Sequence, residues 1–180
     1  LVFNKGSLFM GNADIFPAIK RAFGDAVCCC GPPVIPTIES ECIVDVDCGL
    51  SFEEMVKNSN LLVTKDVNEE RFPIVGMGKY KAKIAIFSFE GNPETKRVVE
   101  EMAKKYYRPS NIEEIFALAA KHPEIIGNFL IALGSTWEFR RKLYSPIIMA
   151  PHGIRELGVT IAILNWCNAF KFAGTRIVQA

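Results

Sequence analysis

The chain has 180 residues, with 21 Lys+Arg against 20 Asp+Glu and a net charge of +1. Hydrophobic residues make up 49% and charged residues 23%, the composition of one ordinary globular domain spanning residues 1–180, which at this length buries roughly 70% of the surface its unfolded form exposes. Disorder is excluded by the apolar content, and a charge-driven nucleic-acid binder is disfavoured because no surplus of Lys and Arg exists to neutralise phosphates.

Leu1 to Met10 reads as strand-like with a turn at Gly6-Ser7. Because Lys5, Gly6 and Asp14 interrupt it, this end is not expected to be a signal peptide, and the compartment stays open, with a cell surface or virion as the candidates. Ile15, Phe16, Ile19 and Phe23 fall on one helical face, with Gly24 where a helix would stop. Gly31-Pro32-Pro33 breaks the chain, and Val34 to Asp47 is β-rich. Ser51-x-x-Glu54 forms a capping box and opens a short helix. Tyr80 to Phe89 alternates Tyr80, Ala82, Ile84 and Ile86 against Lys79, Lys81 and Lys83, the pattern of a half-buried strand. Asn92-Pro93-Glu94 is expected to cap the next helix, with Pro93 at its first position and Val98, Val99 and Met102 as its buried stripe. Ser110-x-x-Glu113 reads as a second capping box, opening a helix that turns Ile112, Ile115, Phe116 and Ala119 inward and ends at His122-Pro123. From Phe129 onward, strand-length runs are separated by Gly134, Pro146, Pro151, Gly153, Gly158 and Gly174. Strands, then helices, then strands make an α+β domain with segregated elements. No apolar run reaches about 18 residues, so no membrane span is expected.

Candidate chemistry is sparse. Five of the six cysteines cluster (Cys28, Cys29, Cys30, Cys42 and Cys48), and Cys167 stands alone. Their spacing does not fit paired zinc ligands. Buried free thiols are the first reading and a disulfide from the Cys28–Cys30 run to Cys42 or Cys48 the second. Asp45 and Asp47 share a strand face with Glu39 and Glu41 upstream; a solvated strand face is favoured over a cation site. His122 caps or packs, His152 sits in the turn Pro151-His152-Gly153, and Gly76-Met77-Gly78 is a turn rather than a dinucleotide loop. No G-x-S-x-G or H-E-x-x-H occurs. No catalytic residue, metal or cofactor is therefore expected. Leu157 to Phe170 contains no charged residue, and Asn165, Cys167 and Asn168 around Trp166 read as a turn or exposed edge rather than a core strand.

Tyr107-Arg108-Pro109-Ser110-Asn111-Ile112-Glu113-Glu114, Ala120-Lys121-His122-Pro123-Glu124 and Ala132-Leu133-Gly134-Ser135-Thr136-Trp137 resemble a large group of uncharacterised bacterial and archaeal proteins. These share an R-P-x-x-x-x-E-x-x-A-L helix, an A-L-G-S-x-W strand and a closing W-x-x-x-x-R-F-A-x-x-R. This chain closes with Trp166, Lys171 in place of Arg, Phe172, Ala173 and Arg176, and the match runs back through Arg71-Phe72-Pro73 over roughly the last 110 residues.

The ending is also similar to the C-type-lectin-fold variable proteins of diversity-generating retroelements, cellular or viral. In that family adenine-directed randomisation yields NNC codons, which cannot encode Lys, Glu, Gln, Met or Trp. From Gly158 to Phe170 every residue but Trp166 belongs to the NNC set, whereas Glu138, Lys142, Met149, Glu156 and Lys171 do not. The resemblance implies a C-type-lectin-like domain with two helices on small antiparallel sheets and a variable region over about residues 138–176. It implies a hypervariable surface that binds a protein or cell-surface ligand, with no nucleic acid, membrane span or cofactor. Ile161, Ile163, Leu164, Asn165, Cys167, Asn168, Ala169 and Phe170 are the candidate binding residues, with His152 and Ile154 in the second rank. Trp137, Trp166 and Phe172 are the fixed aromatic anchors. Exposed Ile, Leu and Phe there would form an apolar patch of the kind that marks protein-binding sites. Two alternatives remain: a small thiol- or metal-dependent enzyme of the formylglycine-generating type, and a phage or cell structural protein in which Leu157 to Phe170 is core.

Overall fold

The computed structural model describes residues 34–150, 153–162 and 165–178. The expected strand over 1–10, the helix over 14–23, Cys28–Cys30, His152, Ile163 and Leu164 lie outside the described residues. The elements run β1 (Ile35–Asp47), α1 (Phe52–Ser59), β2 (Leu62–Val63), β3 (Lys79–Glu90), α2 (Thr95–Lys104), β4 (Arg108–Pro109), α3 (Ile112–Lys121), a 3₁₀ turn (Pro123–Ile125), β5 (Phe129–Ile131), β6 (Trp137–Phe139), β7 (Lys142–Met149), β8 (Glu156–Ile161) and β9 (Lys171–Val178). The architecture is α+β. No described helix is long and apolar enough to cross a membrane.

One nine-stranded sheet takes the order β1-β3-β9-β5-β7-β8-β2, with β4 also on β9 and β6 also on β7. The β5–β9 and β2–β8 pairs are parallel and the others antiparallel. Among the described residues three helices and a large mixed sheet thus stand where the resemblance implied two helices and small antiparallel sheets. The difference lies in β9. It inserts between β3 and β5, joining what would be two small sheets into one.

The sheet is covered on both faces. α1 and α3 pack Phe52, Met55, Ile115 and Phe116 against Val44, Val46, Ile84 and Ile148. On the other face Val98, Val99 and Met102 of α2 join Phe87, Phe89, Tyr107, Trp166 and Phe172. β3 is therefore half-buried only at its start. From Ile84 to Phe87 both faces are covered, because α2 and Trp166 close the side that the lysine alternation left to solvent.

Local signals set most helix ends. Ser51 and Glu54 make the reciprocal capping box, and His122 ends α3. The other two starts differ from expectation. α2 begins at Thr95 with Glu94 as N-cap, and Pro93 stays outside it with its carbonyl accepting the Trp166 N–H at 2.9 Å. The second box is Asn111–Glu114, one residue later than expected. The Ser110 hydroxyl is instead engaged by Thr175 Oγ1 of β9 at 2.7 Å, so Asn111 takes the cap.

Candidate functional site

The C-terminal segment is built around one pinned ring. Trp166 is 1% exposed. Its Nε1–H donates to Thr95 Oγ1 at 2.9 Å, and it packs edge-on against Phe170 and Phe172 with centroids 5.2 and 5.4 Å away. On either side the chain turns outward: Asn165, Cys167, Asn168 and Ala169 are all exposed. A turn closed by the Phe170 N–H on the Cys167 carbonyl at 3.1 Å holds three of them on the surface.

The other candidates divide. Ile161 is 37% and Ile154 58% exposed. Phe170 turns inward, half-buried against Phe129 at 5.5 Å. The described exposed residues of the segment thus combine Ile154 and Ile161 with Asn165, Cys167, Asn168 and Ala169, while Phe170 turns away; Ile163 and Leu164 of the expected apolar patch lie outside the described residues. Phe172 is 1% exposed, as an anchor should be. Trp137 is only half-buried, because it sits at the rim of β6 with the Arg71 guanidinium 4.3 Å above its ring.

The shared-motif residues converge on the framework behind this segment. Arg108 is forked onto Glu114, with Nη1 to Oε2 at 3.0 Å and Nη2 to Oε1 at 2.5 Å. The same carboxylate accepts from Tyr80 Oη at 3.0 Å and from the Asn111 N–H at 2.8 Å. Ser135 Oγ accepts the Ile112 N–H at 2.8 Å, satisfying a donor at the start of α3. A Cβ on Gly134 would lie 2.5 Å from Asn111 Oδ1 and Ser110 O and 2.6 Å from Pro109 O, so only glycine fits there. Arg108, Glu114, Gly134, Ser135, Phe172 and Ala173 bind α3, β4 and β9 together; none of them forms a surface for a ligand.

Beside this junction lies a carboxylate that the sequence reading took for a helix cap. Glu113 is 1% exposed. Its Oε1 accepts from the Gly76 N–H at 3.1 Å and Asn111 Nδ2 at 3.3 Å, while Oε2 is buried without a hydrogen-bond partner. Burial raises its pKa, and the Glu114 charge adds to the effect. The folded state therefore holds this proton above the ordinary carboxyl value of 4.5, and stability falls as pH rises from there toward the folded pKa. Glu113→Gln should remove that component. In urea unfolding at pH 5 and pH 8, the variant should gain on the parent as pH rises, whereas parallel curves would contradict a raised Glu113 pKa.

The β1 carboxylates behave as paired surface charges rather than a cation site. Glu39 meets Lys171, Asp45 meets Lys121 at 3.2 Å, and Asp47 meets Lys79 at 2.9 Å. Glu41 meets Lys83 at 2.6 Å and also accepts from Tyr107 Oη; these bonds hold its carboxyl below the ordinary range. Among the described residues no group of three His, Cys, Asp or Glu is placed to hold a metal. Cys42, Cys48 and Cys167 are free. Burial pushes the Cys48 thiol up to about 11, the reverse of what an activated nucleophile needs.

The sequence reading missed the β6–β7 turn, where Phe139, Arg140, Arg141 and Lys142 are all exposed. A run of three cations next to alternating aromatics was its only signal. Comparison with family models, curated proteins and solved structures returns no match for this chain.

Proposed function

We propose that this chain is a binding domain for a protein or cell-surface ligand, displaying a hypervariable C-terminal segment in the manner of the variable proteins of diversity-generating retroelements. In this reading its C-terminal half plays the part that a C-type-lectin-like frame plays in that family. One observation carries the proposal. A buried, doubly hydrogen-bonded Trp166 is flanked directly by the exposed Asn165, Cys167, Asn168 and Ala169. An anchored tryptophan keeps the backbone in place while its neighbours, facing water, can change without cost to the core. Such a surface is ordered before it meets a ligand, so little conformational entropy opposes binding.

The ligand contacts would come from side chains alone, with no cofactor and no catalytic residue. Replacing the four exposed residues together (Asn165→Tyr, Cys167→Ser, Asn168→Asp, Ala169→Arg) should move the thermal midpoint by no more than about 2 °C, as expected for surface positions. A large loss of stability in this variant would show that the segment is framework and would sink the display reading. It would favour the alternative in which Leu157 to Phe170 is core.

A further inference from the structure

β6 and β7 are joined by two residues, Arg140 and Arg141, between the paired Phe139 and Lys142. Both central residues have positive φ, 49° and 61°. That is the signature of a type I′ hairpin turn, which Asn-Gly fits with least strain. Arginine has neither the freedom of glycine nor the local hydrogen bonding of asparagine that makes the left-handed region accessible. The turn therefore stores strain that a more ordinary dipeptide would relieve, and strain of this kind concentrates where a site needs particular side chains.

What the turn holds is a cationic tip on an aromatic strip. Arg140, Arg141 and Lys142 are exposed, and none forms an ion pair among the described residues. Elsewhere many cations are paired, as in Lys79–Asp47, Lys83–Glu41 and Arg97–Glu101. Behind the tip, Trp137, Tyr144 and Ile161 lie opposite one another across β6, β7 and β8. Phe139, 44% exposed, extends the strip toward the cations. Past Tyr144 the hairpin runs beyond the end of β8, and among the described residues Phe139 and Lys142 are paired only to each other.

We propose that this face of the β6–β7 hairpin docks an acidic protein segment, whose apolar side chains lie along the exposed Phe139 and Ile161 and the half-buried Tyr144 between their strands, and whose carboxylates reach Arg140, Arg141 and Lys142. The proposal does not depend on the reading of Asn165–Ala169. The residue types are those that dominate protein–protein contacts, since Trp, Tyr and Arg carry most binding hot spots and guanidinium forks pair with carboxylates two bonds at a time. A single-stranded nucleic acid fits less well. Trp137 is already stacked on Phe139 at 5.2 Å and lies under Arg71, while Arg140 stands 5.1 Å over Phe139. A base seeking a ring face competes with a guanidinium. A membrane fits less well too. A bilayer would meet only the tip, with Phe139 as its one apolar side chain, and would leave the three-strand strip unused.

The test is selection of random 12-residue peptides displayed on phage against the full chain. The best peptide is then measured by fluorescence anisotropy, beside a 20-residue oligo-dT and vesicles of 30% phosphatidylserine in phosphatidylcholine. Arg140→Asn with Arg141→Gly is the diagnostic variant, because it should raise the thermal midpoint while weakening binding. Enrichment of peptides combining Asp or Glu with apolar residues, at least tenfold weaker binding to the variant and a thermal midpoint raised by a few degrees are expected. Peptides without acidic bias, binding unchanged in the variant, or tighter binding of the oligonucleotide or vesicles than of any selected peptide would each overturn the proposal.

Discussion

Replacing Glu114 with alanine is expected to cost about 3–5 kcal/mol, because it strands a partly buried guanidinium. The carboxylate is 0% exposed and the Arg108 side chain 20% exposed, and Glu114 accepts four hydrogen bonds. Two of them reach outside α3 and β4: the Tyr80 hydroxyl is tied to β3, and the Asn111 N–H belongs to the helix cap. Losing the carboxylate therefore loosens the contact of α3 with both β3 and β4. Arg108→Met should be comparably harmful, since it leaves the Glu114 charge buried without its cation. The double variant Arg108→Met with Glu114→Leu should recover much of the loss, because a buried ion pair replaced whole by apolar groups is often neutral. Urea unfolding of the two single variants and the double variant decides this. Single losses below about 1 kcal/mol, or strictly additive losses in the double, would refute a buried, coupled pair.

Trp166→Ala should be equally severe, at about 3–5 kcal/mol, because it empties the space of a fully buried indole. The ring touches both Phe170 and Phe172, so the cavity would open between the displayed turn and the central strand β9. Trp166→Phe, which keeps an aromatic ring but loses the Nε1–H bond to Thr95, should cost less, roughly 1–2 kcal/mol. The order Ala, then Phe, then the four-residue surface replacement separates anchor from display by thermal unfolding alone. If alanine at Trp166 costs no more than the surface replacement, the ring is not the anchor.

Much of the framework was legible because its signals are local. Ser51 and Glu54 are three residues apart and cap α1 as read, and His122-Pro123 ended α3 where proline forbids continuation. The α+β class followed from the order of patterns alone. The failures are non-local. Ser110 looked like a cap until Thr175, 65 residues away, engaged its hydroxyl. The second buried face of β3 depends on α2 and on Trp166, and nothing in the lysine alternation at its start announced them. The single large sheet depends on β9 settling between β3 and β5, a choice made by packing rather than by strand propensity.

The site was partly legible for the same reason. Trp166 and Phe172 were identified as anchors and are buried; Trp137 lies at a rim where Arg71 covers it. Asn165, Cys167 and Asn168 read as a turn or exposed edge because Asn disfavours a core strand, Ala169 joins them only through the resemblance, and all four are exposed. Phe170 belonged to the same uncharged run but found Phe129 and Trp166 to pack against. The Arg140-Arg141 turn carries only the signal of a cation run beside aromatics, because no arginine pair predicts positive φ.

The central claim is that the exposed residues around Trp166 form a diversified binding surface, and the DNA flanking the coding sequence tests it most directly. The account predicts a near-copy of the codons for about residues 138–176, differing mainly at adenines and lying beside a reverse-transcriptase gene. Codons for Asn165, Cys167, Asn168 and Ala169 should fall at the differing positions and those for Trp166 and Lys171 at the constant ones. Flanking DNA with no such repeat, or a repeat whose differences avoid those four codons, would contradict the retroelement reading.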